Sequence, residues 1–158
     1  MISFDTNEGR FNLRSAAVVI HDEYVLLHQA VGDDFWVLPG ARVEFLETSR
    51  ETVIRELREE LGLSCRVVRQ LWHTESFFEY NSVKVHELAN YFLVSLTDVP
   101  KIDSEVDFNG IEESVELVFR WLPLDNIGDY NLLPRFLLEG LNNLPDTLKT
   151  IEINDISA

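Results

Sequence analysis

A short helical segment with three glutamates within five residues constrains this 158-residue chain more than any other feature. At about 100° per residue, the apolar residues fall on one face of the helix and the glutamates fall together on another: Val53, Leu57 and Leu61 against Glu56, Glu59 and Glu60. Close like charges cost stability unless a cation neutralises them. Mg²⁺ is held in this way, by a few carboxylates together with substrate phosphates. The sequence therefore predicts a core-packed helix that presents carboxylates to a divalent cation.

Local signals on both sides fix where this helix begins and ends. Thr48 and Glu51 have the spacing of a capping box, which predicts a helix that begins near Ser49. Gly62 suits the left-handed position that follows a helix. A Pro-Gly loop precedes the cap, and residues 36–38 are typical of a short buried strand before that loop. A strand, a tight loop and a capped acidic helix in this order indicate a functional site.

The segment that contains this helix resembles the signature of the Nudix hydrolase superfamily, G-x5-E-x7-R-E-U-x-E-E-x-G-U, where U is a bulky aliphatic residue. Glu47 matches the first glutamate of the signature, and residues 55–63 match its second half in full. The signature glycine falls on Ala41, directly after Gly40, and Leu46 stands where many relatives have a second glycine. Because the positions that carry the chemistry are intact, we interpret the Gly-to-Ala change as tolerated variation.

The resemblance implies a metal-dependent hydrolase that cleaves the diphosphate linkage of a nucleoside diphosphate joined to another moiety, by attack of water on phosphorus. It implies Mg²⁺ or Mn²⁺ held by Glu56, Glu59 and Glu60, together with the backbone carbonyl of Gly40. Glu56 or Glu59 is then the residue that accepts the proton of the attacking water. Metal ions suit this chemistry because they neutralise phosphoryl oxygens and lower the pKa of a bound water.

The resemblance also assigns supporting and substrate-binding roles near the motif. Glu47 and Arg55 match positions that pair with each other in relatives and hold the loop against the helix, while Gly62 ends the helix. Arg42 directly follows the Pro-Gly loop, and its guanidinium is a candidate phosphate contact because it can bind phosphate oxygens bidentately.

Aromatic and polar residues farther along the chain are candidates for substrate contact, and each also has a structural interpretation. Phe77, Phe78 and Tyr80 either stack on a nucleobase or cap the core. His86 and Glu87 form a polar pair in an otherwise apolar strand. We expect a core histidine with a satisfied partner there, and the alternative is a contact to substrate or metal.

An acidic loop over residues 98–114 offers additional carboxylates. Members of the superfamily sometimes draw a general base or an extra metal ligand from a loop outside the motif. Glu112, Glu113 and Glu116 are the candidates for that role, although solvated loop glutamates are the more common reading.

Composition limits the partners and the compartment. A net charge of −15 argues against nucleic-acid polymers and anionic membranes, which bind basic surfaces. A metal-bound nucleotide escapes this objection because the cations reverse the charge locally. The single cysteine, Cys65, excludes an intramolecular disulfide and fits a packing role in a cytoplasmic protein. No stretch reaches the roughly 18 apolar residues of a membrane span.

The hydrophobic pattern predicts the order β-β-β-α-β-β-β-α in one domain, with a core over about residues 13–141. We expect an α/β (α+β) fold of the Nudix type, an α/β/α sandwich with a mixed central sheet. Strands are predicted at 13–20, 23–29, 35–38, 66–75, 83–96 and 115–122, and helices at 49–61 and 131–141. The segment at 145–158 is expected to be a mobile tail or an edge strand, and the loop at 98–114 is also expected to be mobile.

Two alternatives to hydrolysis stay open at this stage. A Nudix-fold sensor or regulatory domain binds a nucleotide without cleaving it, but such proteins usually lose motif glutamates that this chain keeps. An isoprenoid diphosphate isomerase on the same fold depends on a cysteine, and Cys65 lies after the helix in a strand context. The substrate is not readable from the sequence, and homodimers are common in the family.

Overall fold

The computed structural model describes residues 1–111 and 116–156, and within them nine strands form a mixed sheet with helical segments on its faces. The strands are β1 (Ser3–Asp5), β2 (Arg10–His21), β3 (Tyr24–Ala30), β4 (Gly40–Arg42), β5 (Cys65–Tyr80), β6 (Val83–Leu96), β7 (Phe108–Asn109), β8 (Leu117–Pro123) and β9 (Lys149–Asn154). The helices are α1 (Ser49–Leu61) and α2 (Leu137–Gly140), with a 3-10 helix over Leu124–Asp129. The expected α/β architecture with a mixed sheet is confirmed.

Strand β2 is the hub of the sheet. The strand order is β7-β8-β3-β2-β6-β5-β9, and β1 and β4 also pair with β2. The β2–β6 and β5–β9 pairs are parallel, whereas β1, β3 and β4 run antiparallel to β2. The short β4 therefore holds the loop before α1 directly against the central strand.

Apolar side chains on the two faces of the sheet form two separate core clusters. On one face, Val53 and Leu57 of α1 pack with Phe92 and with the small residues of β2. On the other face, Trp36 and Leu137 pack in the cluster that contains the side chains of β2, β5 and β6. Because side chains alternate along a strand, each strand in the middle of the sheet supplies residues to both clusters.

The sequence located most strands correctly but made two of them too short. The segments predicted at 13–20 and 66–75 are the longer strands β2 and β5. The segment predicted at 23–29 is β3, displaced by one residue, and β6 has the predicted bounds. The tight turn between β2 and β3 contains Asp22 and Glu23, with φ of 48° and 66°. The last predicted strand begins at Leu117 within the described residues, and Val115 lies outside them.

The predicted C-terminal helix over residues 131–141 is wrong in extent. Only Leu137–Gly140 is helical, because Leu132 and Leu133 are held by long-range backbone contacts and residues 133–136 form a bend and a turn that lead into the helix. Leu132 bridges to Trp36, and the backbone N–H of Leu133 donates to the carbonyl oxygen of Trp36 at 2.9 Å. The segment predicted as a strand at 35–38 likewise makes isolated bridges to its neighbours and forms no strand of its own.

Two segments that the sequence describes as irregular contain strands. Residues 149–154 form β9 at the edge of the sheet, so the edge-strand reading of the C-terminal segment is confirmed there. The acidic loop contains β7, which pairs with β8. Cys65 is half-buried and packs at the margin of the α1 cluster, as expected for a structural thiol. None of the helices in the described ranges is long and apolar enough to cross a membrane.

Candidate active site

Helix α1 is fixed at both ends by the signals that the sequence predicts. The Thr48 hydroxyl accepts a hydrogen bond from the Glu51 backbone N–H at 3.2 Å, and the Glu51 carboxylate accepts one from the Thr48 N–H at 2.7 Å. Gly62 has a φ of 65°, and its N–H donates to the Arg58 carbonyl oxygen at 2.9 Å. These caps fix the register of the helix, and therefore the direction in which its glutamates point.

The loop before α1 is held by close backbone contact with β2. Ala16 is the register partner of Gly40, and a Cβ on Gly40 would overlap the Ser15 carbonyl oxygen and lie 2.8 Å from the Ala16 Cα. Gly40 is therefore required for close approach, and it does not have a positive φ. Ala41 lies opposite Ser15 in β4, also without a positive φ. The left-handed residue of this loop is Leu46, with a φ of 66°.

Arg55 and Glu47 form the ion pair that the motif predicts. The Arg55 Nε donates to Glu47 Oε2 at 2.7 Å, and Arg55 Nη2 donates to Glu47 Oε1 at 3.0 Å. The Thr52 hydroxyl donates to Glu47 Oε1 at 2.7 Å. The Arg55 guanidinium lowers the pKa of Glu47 to about 2, and Glu47 in turn raises the pKa of Arg55. A bidentate charged pair of this kind is both strong and geometrically specific.

The same arginine also contacts the acidic face of α1. Arg55 Nη1 donates to Glu56 at 2.6 Å and to Glu59 at 3.3 Å. The expectation of a helix face with glutamates alone is therefore wrong, because the Arg55 guanidinium supplies a positive charge on that face. Glu56 and Glu60 are each 8% exposed, whereas the Glu59 side chain is 52% exposed.

The motif glutamates are not already arranged as a metal cage. Within residues 1–111 and 116–156, no three His, Cys, Asp or Glu side chains are placed to hold a metal ion. Arg55 gives a physical reason, since its guanidinium bridges the two carboxylates that a cation would otherwise draw together. Glu56 and Glu59 nevertheless lie on one side of the helix, as the motif predicts, and both contact this arginine.

A NUDIX domain family model matches residues 11–139 of the chain. The chain belongs to the NUDIX domain family. Its curated relatives include an RNA pyrophosphohydrolase of Hydrogenovibrio crunogenus, 30% identical over 110 residues, which are 61% of this chain and 66% of the relative. A putative mutator protein MutT4 of Mycobacterium tuberculosis is 32% identical over 59 residues, which are 37% of this chain and 24% of the relative.

The NUDIX fold is also evident in solved structures. A mutator MutT protein from Bacillus halodurans superposes with a TM-score of 0.64 and 16% identity, covering 91% of each chain. Similarity at this level of identity concerns the fold alone. The chain spans about a quarter or less of the first two curated relatives.

The aromatic and polar residues of β5 and β6 in this NUDIX domain divide between the two faces of the sheet. Phe77 contacts His86 edge to face, with ring centroids 4.6 Å apart, whereas Phe78 is its neighbour on the opposite face. His86 is exposed and bonds Glu75 at 2.8 Å, so the expectation of a core histidine is wrong, although its partner is present. The sequence grouped Phe77 with Phe78 and His86 with Glu87, and strand alternation separates both pairs.

The structure describes Arg42 and one of the three loop carboxylates that the sequence offers as candidates. Arg42 lies in β4 directly opposite Arg14 of β2, so two guanidinium groups emerge on one face beside the Gly40 loop. Glu112 and Glu113 lie outside the described residues. Glu116 is exposed, and its carbonyl oxygen accepts a hydrogen bond from the Val31 N–H at 3.1 Å.

Sequence reasoning missed two titratable residues on β2 and β3 of the NUDIX domain. Arg14 donates to the carbonyl oxygen of Leu38 at 3.0 Å. Arg14 lies opposite Arg42 in the sheet, and this proximity follows only from the pairing of β2 with β4. His28 is buried beside Phe119, and within the described part of the chain its Nδ1 has no hydrogen-bond partner. Burial lowers the pKa of His28 to about 3, with a smaller effect of Arg14, so the ring is neutral at pH 7.

Proposed function

We propose that the chain is a divalent-cation-dependent hydrolase. It cleaves the pyrophosphate linkage of a nucleoside diphosphate joined to another moiety, by attack of water on phosphorus. The observation that carries this proposal is the arginine clamp. Arg55 holds Glu47 with one edge of its guanidinium and contacts Glu56 and Glu59 with the other. This clamp keeps the motif carboxylates together on one side of a helix that is capped at both ends.

The donor set of the motif fits a hard divalent cation. Glu56, Glu59 and Glu60 supply carboxylate oxygens, which are the ligands that Mg²⁺ and Mn²⁺ prefer. The Gly40 carbonyl is the proposed backbone ligand. A cation bound by these groups would neutralise phosphoryl oxygens and lower the pKa of a bound water.

The chain's own residues position the substrate and accept a proton. Glu56 or Glu59 accepts the proton of the attacking water, and Arg55 orients both carboxylates from behind. Arg14 and Arg42 lie beside the Gly40 loop, where guanidinium groups can bind phosphate oxygens in bidentate fashion. Glu47 keeps Arg55 in its rotamer, because it accepts two of the hydrogen bonds that Arg55 donates.

The test is a substrate screen with a matched pair of variants. The panel contains the four nucleoside triphosphates, ADP-ribose, UDP-glucose, a dinucleoside tetraphosphate and a short RNA with a 5′-triphosphate, each with Mg²⁺ and with Mn²⁺. Glu59→Gln should lower kcat by at least a hundredfold while the thermal unfolding midpoint stays within a few degrees. Glu79→Gln, the same chemical change at an exposed position of β5, should leave kcat unaltered.

Two outcomes would overturn the proposal. Turnover that persists at the full rate in excess EDTA would exclude the cation. A Glu59→Gln variant that keeps kcat within threefold would remove the carboxylate from the reaction. Tight nucleotide binding without turnover on any substrate would instead favour a nucleotide sensor. The cytoplasmic location and the homodimer stay predictions.

A further inference from the structure

Four polar side chains lie side by side across the sheet, on neighbouring strands and in register. Ser3 pairs with Asn12, Asn12 pairs with Glu87, and Glu87 pairs with Ser76. The row runs through β1, β2, β6 and β5, and we call it the polar rung. Residues that are register partners project from the same face of a sheet, so the four side chains share one face.

The polar rung lies on the face of the sheet opposite α1. Ser15 and Asn90 point toward α1, because Ser15 Oγ donates to the Ser49 carbonyl oxygen and Asn90 donates to Ser49 Oγ. Asn12 and Glu87 are each three residues away from these positions and therefore point to the other face. Two register rows farther along β2 on that face, Ala16 and Tyr91 are buried in the apolar core. The polar rung therefore begins where the apolar layer ends.

A loop crosses the same face of the sheet. Tyr80 belongs to the alternating set of β5 that includes Ser76, so its ring projects from the face of the polar rung. Its hydroxyl donates to Asp33 at 3.0 Å, and its ring contacts Phe35 edge to face, with centroids 6.0 Å apart. Residues 33–35 therefore reach across to the end of β5, on the same face of the sheet as the polar rung.

Glu87 can accept more hydrogen bonds on this face of the sheet than it does. Asn12 and Ser76 are each 6% exposed, and Glu87 is partly exposed. The Asn12 Oδ1 accepts from the Ser3 hydroxyl at 2.7 Å, which fixes the amide and turns its Nδ2 toward Glu87 at 3.5 Å. In the described residues this long contact is the hydrogen bond made by the Glu87 carboxylate, whose two oxygens can accept about four. Burial raises the pKa of Glu87, against the nearby charges of Arg14 and Arg42.

Two arginines on the same face lie between the polar rung and the Gly40 loop. Arg14 lies two residues along β2 from Asn12 on the same face, and Arg42 is its cross-strand partner. Arg14 also binds the carbonyl oxygen of Leu38, two residues before Gly40. A molecule that extends along this face from the polar rung would meet the two arginines next and the Gly40 loop last.

We propose that the polar rung binds the nucleobase of the substrate, and that Glu87 sets the base preference by accepting hydrogen bonds from the base's N–H groups. This inference rests on the proposed function for the identity of the ligand. The order of groups along this face matches a nucleotide, because a hydrogen-bonding base precedes an anionic phosphate. Nucleobases present distinct patterns of donors and acceptors on their edges, and a fixed carboxylate discriminates among those patterns.

The test measures binding and turnover separately. AMP, GMP, CMP and UMP are titrated by calorimetry into the parent protein and into Glu87→Gln, which replaces one acceptor oxygen with a donor. We expect the parent to prefer one base, and the affinity for that base to fall tenfold or more in the variant with a changed order among the four. In hydrolysis of the corresponding triphosphates, KM should rise by a similar factor while kcat stays within threefold.

Glu75→Gln is the matched control. It makes the same change on the same sheet, one residue before Ser76 and on the opposite face, and it should keep both the affinity and the base order. If Glu87→Gln does not fold, Glu87→Asp shortens the reach of the carboxylate and should reorder the bases in the same way. Equal binding of all four monophosphates, or an unchanged order in the variants, would overturn the inference. Base-selective binding without turnover would support the inference and count against the proposed hydrolysis.

Discussion

At the scale of single residues, Glu47 joins the loop before α1 to the helix itself. It precedes α1, yet it accepts two hydrogen bonds from Arg55 and one from Thr52, both of which belong to that helix. The pKa of Glu47 falls to about 2 from an ordinary value of 4.5. The ionised form is therefore strongly favoured in the folded protein, and its pairing stabilises the loop–helix junction above the unfolded-state pKa.

Glu47→Gln should lower the free energy of unfolding at pH 7 by about 2 kcal/mol, which is a conservative reading of a downward shift of this size. The stabilisation is fully present above pH 4.5 and is lost as the pH falls toward 2, so the variant and the parent should converge in acid. Urea unfolding at pH 7 and pH 3 measures the difference. Glu44→Gln removes only a surface pair with the chain terminus and should change stability little. A constant gap between parent and variant across this pH range would contradict the assignment.

At the scale of elements, the backbone conformations of three residues in the signature loop predict how each responds to a change to or from glycine. Gly40 and Ala41 belong to β4 without positive φ, whereas Leu46 has a φ of 66° and is 88% exposed. Ala41→Gly should lower the free energy of unfolding by about 0.4–1 kcal/mol through the entropy of the unfolded chain. Leu46→Gly should cost nothing or stabilise, because glycine relieves the left-handed strain of about 1–2 kcal/mol.

Gly40→Ala completes the series, because its added methyl group would overlap the Ser15 carbonyl oxygen. It should destabilise the protein more than Ala41→Gly and also lower kcat, since the loop would have to move away from β2. Thermal unfolding of the three variants, with hydrolysis of the best substrate, measures both effects. If Ala41→Gly raised kcat/KM tenfold and Gly40→Ala were harmless, the loop would be strained at Ala41 and the sensor alternative would gain support.

The sequence predicted those elements whose signals are local. The capping box at Thr48 and the left-handed Gly62 act within one turn of α1, and both are present where the pattern places them. The predicted helix at 131–141 had suitable apolar spacing, but long-range hydrogen bonds to Trp36 keep its first residues extended. Tertiary contacts of this kind override a local pattern and leave no mark in the segment itself.

At the scale of the whole molecule, the strand pairing places residues that the sequence cannot bring together. The parallel β2–β6 pair joins Asn12 to Glu87, which are 75 residues apart, and β4 places Arg42 opposite Arg14. The sequence identified Arg42 and Glu87 individually, from their types and their neighbours. Their partners on β2 emerge only from the register of the sheet, because a shift of one residue would turn every side chain to the other face.

The whole fold also responds to pH through His28. Its ring is buried against Phe119, and within the described residues its Nδ1 has no acceptor, so protonation would bury an unpaired charge. Burial lowers its pKa from 6.5 to about 3. Below pH 6.5, His28 is therefore protonated in the unfolded chain but stays neutral in the folded protein until the pH approaches 3. This part of the stability is present above 6.5 and is lost as the pH falls toward 3.

His28→Leu should therefore flatten the stability profile by about 2 kcal/mol between pH 6.5 and 4.5, the range in which the unfolded-state histidine titrates first. Urea midpoints of the parent and the variant at pH 7.5, 6.5, 5.5 and 4.5 measure the two slopes. Parallel profiles of parent and His28→Leu would mean that the folded protein accommodates the His28 proton, and that the acid sensitivity of the fold comes from its carboxylates alone.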